Sequence, residues 1–221
     1  MQTDVNIDTT HSKRDPYLAF VLEGNRSAAS AYIRDLAAQG RGIREIYDTF
    51  IKPALYRVGE LWETNRITVA EEHIATSITE SIMNEFFYDI VSRERVARKV
   101  VLGCVENEFH QVGAKMVADI FEMKGWDTFF PGSNVPTNEM VRYIEKQEPD
   151  MVALSVSIYS HIPLLEKMLR LIHHRFDLPV IIGGQAFRYG GKELADKFPH
   201  PRYIEDLKEL ETFIDQYQSH G

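Results

Sequence analysis

The sequence of 221 residues has a single cysteine, Cys104, and no long apolar run. One cysteine excludes an internal disulfide framework, and no apolar run approaches the roughly 18–20 residues that a membrane span needs. The start, Met1-Gln2-Thr3-Asp4, also lacks the basic region and apolar stretch of a secretory signal. These absences predict a cytoplasmic protein with no membrane-spanning segment.

Basic residues are in deficit as well. The 25 lysines and arginines face 33 aspartates and glutamates, which gives a formal net charge of −8. Neutralising duplex phosphates requires an excess of basic residues, so we expect no direct binding to nucleic acid. The apolar share of 44% and the charged share of 26% are typical of globular domains. The length predicts two small domains, since single domains usually have roughly 100–200 residues.

The first part of the chain has the pattern of a helical bundle. We expect residues 1–14 to be a disordered polar tail and residues 15–95 to form four helices with short links. Asp15-Pro16 has the form of an N-cap followed by proline at the first helical position. Pro53 is expected to kink or divide the third helix. Thr68 and Glu71 have the spacing of a capping box, which places the start of the fourth helix near Val69.

Residues 96–221 alternate between short apolar strands and amphipathic helices, beginning with a strand from Val100 to Val105. Five such units predict an α/β domain of the flavodoxin-like (Rossmann-like) type, with a five-stranded parallel sheet covered on both faces. Cys104 lies within the first strand and is expected to be a buried small hydrophobic residue. In such a sheet the ligand binds beyond the carboxyl ends of the strands.

Three residues directly after the first strand are candidates for that ligand site: Glu108, His110 and Gly113. A histidine in such a loop is, by itself, more often an exposed or capping residue than a metal ligand. A nearby carboxylate changes the balance, because it can accept the other ring N–H, fix the tautomer and raise the basicity of the ligand nitrogen. Gly113 would let a bulky group pass close to the helix backbone.

The ends of the third and fourth strands add Ser155-Val156-Ser157 and Gly183-Gly184. Taken separately, a serine often ends a strand and two glycines often form a turn. All of these positions nevertheless meet at one edge of the predicted sheet.

In this order the motifs resemble the cobalamin-binding domains of methionine synthase, corrinoid methyltransfer proteins and cobalamin photoreceptors, over roughly residues 97 to 215. The resemblance implies that His110 replaces the cofactor's dimethylbenzimidazole as the lower cobalt ligand and that the displaced nucleotide tail is buried between the strands. It also implies that Ser155 hydrogen-bonds the displaced base, that Ser157 belongs to the same site, and that Gly183 and Gly184 leave room for the tail. The chain departs from the usual pattern at Val156-Ser157, where the family has x-Leu, and at Glu108, where aspartate is commoner.

The helical part contains a second constellation, Trp62 followed nine residues later by Glu72-His73. These residues are open to an ordinary interpretation as a core tryptophan beside a solvated helix start. They also resemble the helical cap of CarH-type adenosylcobalamin photoreceptors. That resemblance implies that Trp62 covers the upper ligand, that Glu72 accepts hydrogen bonds from an adenosyl ribose, and that His73 lines the same pocket. Glu63 stands where CarH-type proteins have a cobalt-capturing histidine.

The leading hypothesis is therefore a stand-alone cobalamin light sensor of the CarH or AerR type, a binding and signalling protein more than an enzyme. Because no DNA-binding domain is expected before Asp15, it would signal through a protein partner, such as a transcription regulator or an enzyme of its pathway, or through a light-dependent homo-oligomer. The alternative hypothesis is a corrinoid shuttle protein of a methyltransferase system, and a third is a flavodoxin-like response module without cobalamin.

Adenosylcobalamin is the first cofactor that the resemblance implies, with methylcobalamin, hydroxocobalamin and an additional bilin left open. His161, His173 and His174 flank or lie in the helix after the third strand, and we expect them at the surface. His161 lies nearest to the carboxyl end of that strand and could approach a corrin.

Overall fold

The computed structural model describes residues 15–219, apart from the side chain of Phe87. The tail expected over residues 1–14 lies outside the described residues. The chain divides into two compact units, Met1–Tyr88 and Asp89–Gly221. The domain boundary was expected near residue 95, and the observed division lies slightly earlier, between Tyr88 and Asp89.

The first unit is helical. Its helices are α1 (Pro16–Leu22), α2 (Arg26–Ala38), α3 (Ile43–Ile46), α4 (Lys52–Glu63) and α5 (Val69–Glu85), and the short helix α6 (Phe87–Ile90) follows α5 at the junction. A π-helical turn, Tyr47–Ile51, joins α3 to α4, so these two helices and the turn occupy the place of the predicted third helix. Helix α1 packs against α2, α4 and α5, as expected for a bundle.

The predicted start signals of two helices are confirmed. Asp15 accepts a hydrogen bond from the Leu18 amide, and Pro16 occupies the first turn of α1. Thr68 and Glu71 form a complete capping box, in which each side chain accepts from the other residue's backbone N–H. These bonds satisfy amide groups that have no partner within the helix itself.

Pro53 explains the irregular third helix. Proline has no N–H to donate, and its ring crowds the carbonyl group four residues earlier, which here belongs to Thr49. The π-helical turn Tyr47–Ile51 lies at that place and accommodates the proline ring and the missing hydrogen bond. The sequence predicted the position of the disturbance but not its form.

The second unit is the predicted α/β domain. Its strands are β1 (Lys99–Cys104), β2 (Asp127–Phe129), β3 (Met151–Ser155), β4 (Val180–Gly183) and β5 (Pro201–Tyr203). Its helices are α7 (Val112–Met123), α8 (Thr137–Gln147), α9 (Ile162–Arg175), α10 (Leu194–Lys197) and α11 (Leu207–Ser219). Two 3₁₀ turns, Tyr159–His161 and Gln185–Arg188, precede α9 and follow β4.

The sheet has the order β2-β1-β3-β4-β5, and all its paired strands are parallel. This is the flavodoxin-like order, with its switch point between β1 and β3. Helices α7 and α11 pack together, as do α8 and α9, so both faces of the sheet are covered. Buried on both sides, β1 and β3 are almost wholly apolar, and Cys104 is fully buried as expected.

Burial also determines the chemistry of two ionisable groups. Burial raises the pKa of the Cys104 thiol to about 12, so the thiol stays protonated at neutral pH. In the helical unit, burial raises the pKa of Tyr17 to about 12, and its hydroxyl group lies 2.9 Å from that of Thr79. Neither group behaves as a nucleophile. No helix among residues 15–219 is long and apolar enough to cross a membrane.

Gly184 occupies a backbone conformation that only glycine adopts readily, with φ of 121° and ψ of 170°. A Cβ atom at this position would lie 2.1 Å from the carbonyl oxygen of Val156. Gly184 is therefore required by the turn itself, and the expectation that it leaves room for the nucleotide tail stays a prediction.

We predict that Gly184→Ala lowers the free energy of unfolding of the apo protein by at least about 2 kcal/mol, because it adds backbone strain and a steric clash. Urea unfolding followed by Trp126 fluorescence, in a Trp62→Phe background, measures this change. The matched control is Gly113→Ala, where a Cβ meets nothing within 4 Å, and which should be neutral or stabilising. Equal stability of Gly184→Ala and wild type would contradict the prediction.

Candidate functional site

The candidate site in the second unit is built around the carboxylate of Glu108, which is fully buried. It follows β1 in the loop before α7, at the carboxyl edge of the sheet. A charged group without solvent is costly unless hydrogen bonds compensate it. Each hydrogen bond to this carboxylate therefore helps to stabilise the buried charge.

The first oxygen of the carboxylate faces His110. Oε1 accepts hydrogen bonds from the His110 backbone N–H, at 3.0 Å, and from its ring nitrogen Nδ1, at 2.6 Å. The second oxygen faces the segment after β3. Oε2 accepts from the backbone N–H groups of Ser157, at 2.9 Å, and Ile158, at 3.0 Å, and lies 3.3 Å from Nδ1 of His161.

These contacts keep Glu108 ionised. Burial by itself raises the pKa of the carboxyl group, but the hydrogen bonds from His110, Ser157 and Ile158 outweigh burial and lower the pKa to about 2. An ionised carboxylate can only accept hydrogen bonds. Nδ1 of His110 therefore carries the hydrogen, and the ring's lone pair is on Nε2.

His110 has the properties of a metal ligand prepared by a neighbouring carboxylate. Its side chain is 40% exposed although its Glu108 partner is buried. Its backbone carbonyl lies 3.8 Å from the Cys104 sulfur, which ties the loop to the end of β1. This arrangement of carboxylate and imidazole is typical of metal-bound histidines. No group of three or more metal-ligating side chains converges within residues 15–219, so the described residues form no site that would hold an ion by protein ligands alone.

A small cavity of about 40 Å³ lies over β1, β3 and β4 of the same sheet. This volume is far below the roughly 300–1,000 Å³ of small-molecule pockets. Small residues create the space, among them Ala114 of α7, Ala153 of β3 and Gly183 of β4. The full lining is Leu102, Gly103, Ala114, Val117, Ala153, Leu154, Ser155, Ile181, Ile182, Gly183 and Ile204.

Ser155 is the polar member of this otherwise apolar lining. It ends β3 and is 9% exposed. Among the described residues its hydroxyl group makes no hydrogen bond, so the oxygen is available to a polar atom of a bound ligand. The cavity is therefore apolar apart from this hydroxyl group, and its volume is about that of a solvent molecule.

The predicted residues of the sheet unit come together at one edge, with differences in detail. Gly113 is the second residue of α7, and a Cβ atom there would meet nothing within 4 Å. Ser157, which was expected to belong to the site, donates its backbone N–H to Glu108. Ile158 and His161 also contact Glu108, and the sequence-based site did not include them. A backbone donor such as Ile158 leaves no side-chain signal, but His161 could have been found from its position after β3.

The helical unit contains Trp62, Glu72 and His73. Trp62 lies at the end of α4, where it is 37% exposed and is therefore not a core tryptophan. Glu72, in the first turns of α5, is buried at 8% exposure. Its carboxylate is therefore not solvated. Both differ from the ordinary interpretation, in which the aromatic residue is buried and the charge is solvated.

Two neighbours hold the Glu72 carboxylate. The Thr76 hydroxyl donates to Oε1 at 2.8 Å, and Nδ1 of the exposed His73 contacts Oε2. An imidazole therefore faces a buried carboxylate through Nδ1 in each unit, although only Glu108 is also held by backbone donors.

Comparison with known families gives these features a common meaning. Residues 98–202 match the model of a B12 binding domain, and residues 14–85 match a second B12 binding domain model. The matches cover the sheet unit and the helical unit in turn. The chain is a cobalamin-binding protein.

Similar proteins of known role include members of two classes. The chain is 28% identical to the HTH-type transcriptional repressor CarH of Myxococcus xanthus over 145 residues, which are 64% of this chain and 48% of CarH. It thus spans about half the length of that repressor. It is 23% identical to dimethylamine corrinoid protein 1 of Methanosarcina acetivorans over 172 residues, which are 75% of this chain and 78% of that protein.

Among solved structures, the monomethylamine corrinoid protein of Methanosarcina barkeri is similar with a TM-score of 0.79. The likeness covers 92% of this chain and 97% of that protein at 12% identity. It confirms the predicted fold, a five-stranded parallel sheet domain preceded by a helical region.

We predict that Glu108 contributes pH-dependent stability. Because its folded-state pKa is lowered from 4.5 to about 2, its contribution is fully present above pH 4.5 and is lost as the pH falls towards 2. The loss amounts to about 3 kcal/mol. Urea unfolding of wild type and Glu108→Gln across this pH range should give curves that converge by that amount at low pH.

Glu145→Gln, a change at an exposed carboxylate of α8 in the same unit, is the matched control, and its curve should stay parallel to that of the wild type. A Glu108→Gln curve that also stays parallel would show that the buried carboxylate contributes no such stability.

Proposed function

We propose that this cobalamin-binding protein is a light sensor that holds adenosylcobalamin and signals to a protein partner. The observation that carries the proposal is the combination of an exposed Trp62 with the buried, hydrogen-bonded carboxylate of Glu72 in the helical unit. His110 would bind cobalt through Nε2, with Glu108 holding its Nδ1–H.

In this proposal the small cavity over β1, β3 and β4 widens to take the displaced nucleotide tail. Its apolar lining suits the flat base, and the Ser155 hydroxyl is placed to hydrogen-bond a ring nitrogen. Gly183 has no side chain to fill this cavity, and Gly113 leaves the first turn of α7 open to the corrin. Ser157 contributes through its amide bond to Glu108.

The group bound to the upper face of cobalt, adenosyl or methyl, distinguishes the light sensor from a methyl-transfer protein. A methyl group offers no hydrogen bond and gains nothing from a buried carboxylate, which is costly to desolvate. An adenosyl group has ribose hydroxyl groups that Glu72 can accept from and an aromatic base that Trp62 can pack against. His73 fixes the Glu72 carboxylate and borders the same contacts. These residues therefore favour adenosylcobalamin over methylcobalamin.

Cobalamin, when bound, supplies a cobalt–carbon bond that visible light breaks. Loss of the upper group would remove contacts that Trp62 and Glu72 make only in the dark state. An interaction present in one state alone can bias the packing of the helices and so change a surface that a partner recognises. The net charge of −8 favours a protein partner over DNA, and a light-dependent self-association is a second output of the same kind.

The second candidate function is a corrinoid shuttle between methyltransferases. The alignment with dimethylamine corrinoid protein 1 favours it, since it covers three quarters or more of both chains. A shuttle would use His110, Glu108 and the cavity in the same way. It differs in requiring access of partner enzymes to a methyl group and no lasting response to light.

We expect His110→Ala to remove the nitrogen ligand that the protein gives to cobalt. Hydroxocobalamin bound to the wild type should show the absorption spectrum of histidine-ligated cobalt, and the variant should show that of cobalt without this ligand. Its affinity should fall about 10-fold or more. His174→Ala, an exposed histidine of α9, is the control and should match the wild type; an unchanged spectrum in His110→Ala would exclude this ligand.

A second experiment separates sensor from shuttle. Protein loaded in the dark with adenosylcobalamin should change its absorption spectrum and its elution volume in size-exclusion chromatography after green light, and keep both changes. Trp62→Ala should weaken adenosylcobalamin binding about tenfold, equivalent to about 1.4 kcal/mol, because an aromatic contact is lost, and leave methylcobalamin binding unchanged.

Tyr88→Ala alters another exposed aromatic residue of the helical unit and should retain the preference for adenosylcobalamin. If cobalamin binds but light causes no lasting change in spectrum or assembly, the shuttle function is the better explanation.

A further inference from the structure

The loop that carries His110 has a second neighbour, the segment that follows β2. Because β1 lies between β2 and β3 in the sheet, its loop leaves the carboxyl edge beside the loops of both strands. Glu108 joins it to the segment after β3. Residues 133–137, the β2 brace, lie between β2 and α8 and end at the first residue of α8. We propose that the β2 brace positions His110 from this other side; the inference rests on the proposed role of His110 as cobalt ligand.

Two asparagines make the first contact between the loop and the brace. The Asn107 amide donates to Oδ1 of Asn134 at 3.1 Å, and the Asn134 amide donates to the Glu108 carbonyl oxygen at 3.0 Å. Asn107 lies in the turn that the Glu108 amide closes on the Val105 carbonyl. Both asparagines have positive φ, 66° at Asn107 and 55° at Asn134, which asparagine adopts more readily than most residues. The turn before His110 is therefore tied to the brace.

The second contact is a charged anchor at the start of α8. Oε2 of Glu106 accepts hydrogen bonds from the Thr137 hydroxyl, at 2.9 Å, and from the Thr137 amide, at 3.4 Å. These bonds lower the pKa of Glu106, the hydroxyl most of all, so the carboxyl group is ionised at neutral pH. Thr137 is buried, and a helix N-terminus stabilises a negative charge. Lys167 of α9 adds an ion pair 4.0 Å from the same oxygen.

The third contact lies directly after His110. Gln111 occupies the N-cap position of α7, and its Oε1 accepts a hydrogen bond from the Ser133 amide at 3.1 Å. The brace thus holds the chain both before and after His110. A ligand that is held in place before binding loses less freedom when it binds, so the brace favours the bond between Nε2 and cobalt.

The brace and the bonds from the side of β3 have separable effects. The amides of Ser157 and Ile158 stabilise the charge of Glu108 and belong to a different segment of the chain. Loss of the brace should therefore leave the hydrogen of His110 on Nδ1 and loosen the backbone that carries the ring. The expected result is a smaller fraction of cobalt bound by Nε2, with the tautomer unchanged.

The first test uses the apo protein. Thr137→Val removes the hydroxyl group but keeps the shape of the side chain, and Asn134→Gly removes Oδ1 but tolerates the positive φ. In the double variant, NMR should show amide hydrogen exchange at Asn107 and His110 about tenfold faster than in the wild type, a factor that two ordinary hydrogen bonds can supply. Exchange within β3 and the His110 tautomer should not change.

Two further variants control this experiment. Thr137→Ser keeps the hydroxyl group and should exchange like the wild type, whereas Thr137→Val alone should show part of the acceleration. Thr212→Val is the matched control, because the Thr212 hydroxyl donates to the Lys208 carbonyl within α11 at 3.0 Å. It should leave exchange at Asn107 and His110 unchanged.

The second test uses protein labelled with ¹⁵N-histidine and loaded with cob(II)alamin. Electron paramagnetic resonance then distinguishes a protein nitrogen, which gives a doublet splitting, from the cofactor's own ¹⁴N base, which gives a triplet. We expect the doublet in the wild type and in Thr137→Ser. The double variant Asn134→Gly/Thr137→Val should lose part of the doublet and bind the cofactor about tenfold more weakly, by the same two hydrogen bonds.

Four outcomes separate the inference from the function on which it rests. If His110→Ala retains the doublet, the assignment of His110 as ligand fails, whatever the brace does. If His110→Ala loses the doublet but the double variant keeps the full doublet, the role of the brace fails by itself. If Thr137→Ser behaves like Thr137→Val, the hydroxyl group is not what matters, and the inference is overturned. It is also overturned if exchange rises equally in β3, since the substitutions then act on the whole sheet unit.

Discussion

The buried carboxylate of Glu108 is the interaction on which the rest of the sheet unit's site depends. Its charge is tolerated because five donors from two segments of chain surround it. Those donors join the loop after β1 to the loop after β3, which flank the switch point of the sheet. The same bonds fix the tautomer of His110, so one group links local stability to ligand chemistry.

The fold makes this possible by bringing together the carboxyl ends of parallel strands. Neighbouring β1 and β3 end at paired residues, Cys104 and Ser155, so their following loops emerge side by side. The small residues along β3, β4 and α7 leave a cavity where a larger side chain would close the core. A small apolar cavity and a histidine held by a buried carboxylate therefore occur in the same sheet unit.

The helical unit also contains a buried carboxylate that is held by hydrogen bonds. Glu72 is buried and held by Thr76 and His73, whereas Trp62 stays partly exposed. A buried charge and an exposed tryptophan in one helical unit are the reverse of ordinary core packing. This reversal is the basis of the proposal that both residues contact the ligand.

The sequence alone determined the fold class, the helix caps at Asp15 and Thr68, and the edge of the sheet at which Glu108, His110, Ser155 and Gly183 meet, because these follow from local patterns and from the geometry of parallel sheets. Only the tertiary structure decided that Gly184 serves the turn, that Ser157 and Ile158 act through backbone amides, and that His161 shares the carboxylate of Glu108. Backbone donors leave no trace in residue identity, and His161 is separated from Glu108 by 53 positions. Such contacts depend on how loops distant in sequence pack against one another, which no local pattern encodes.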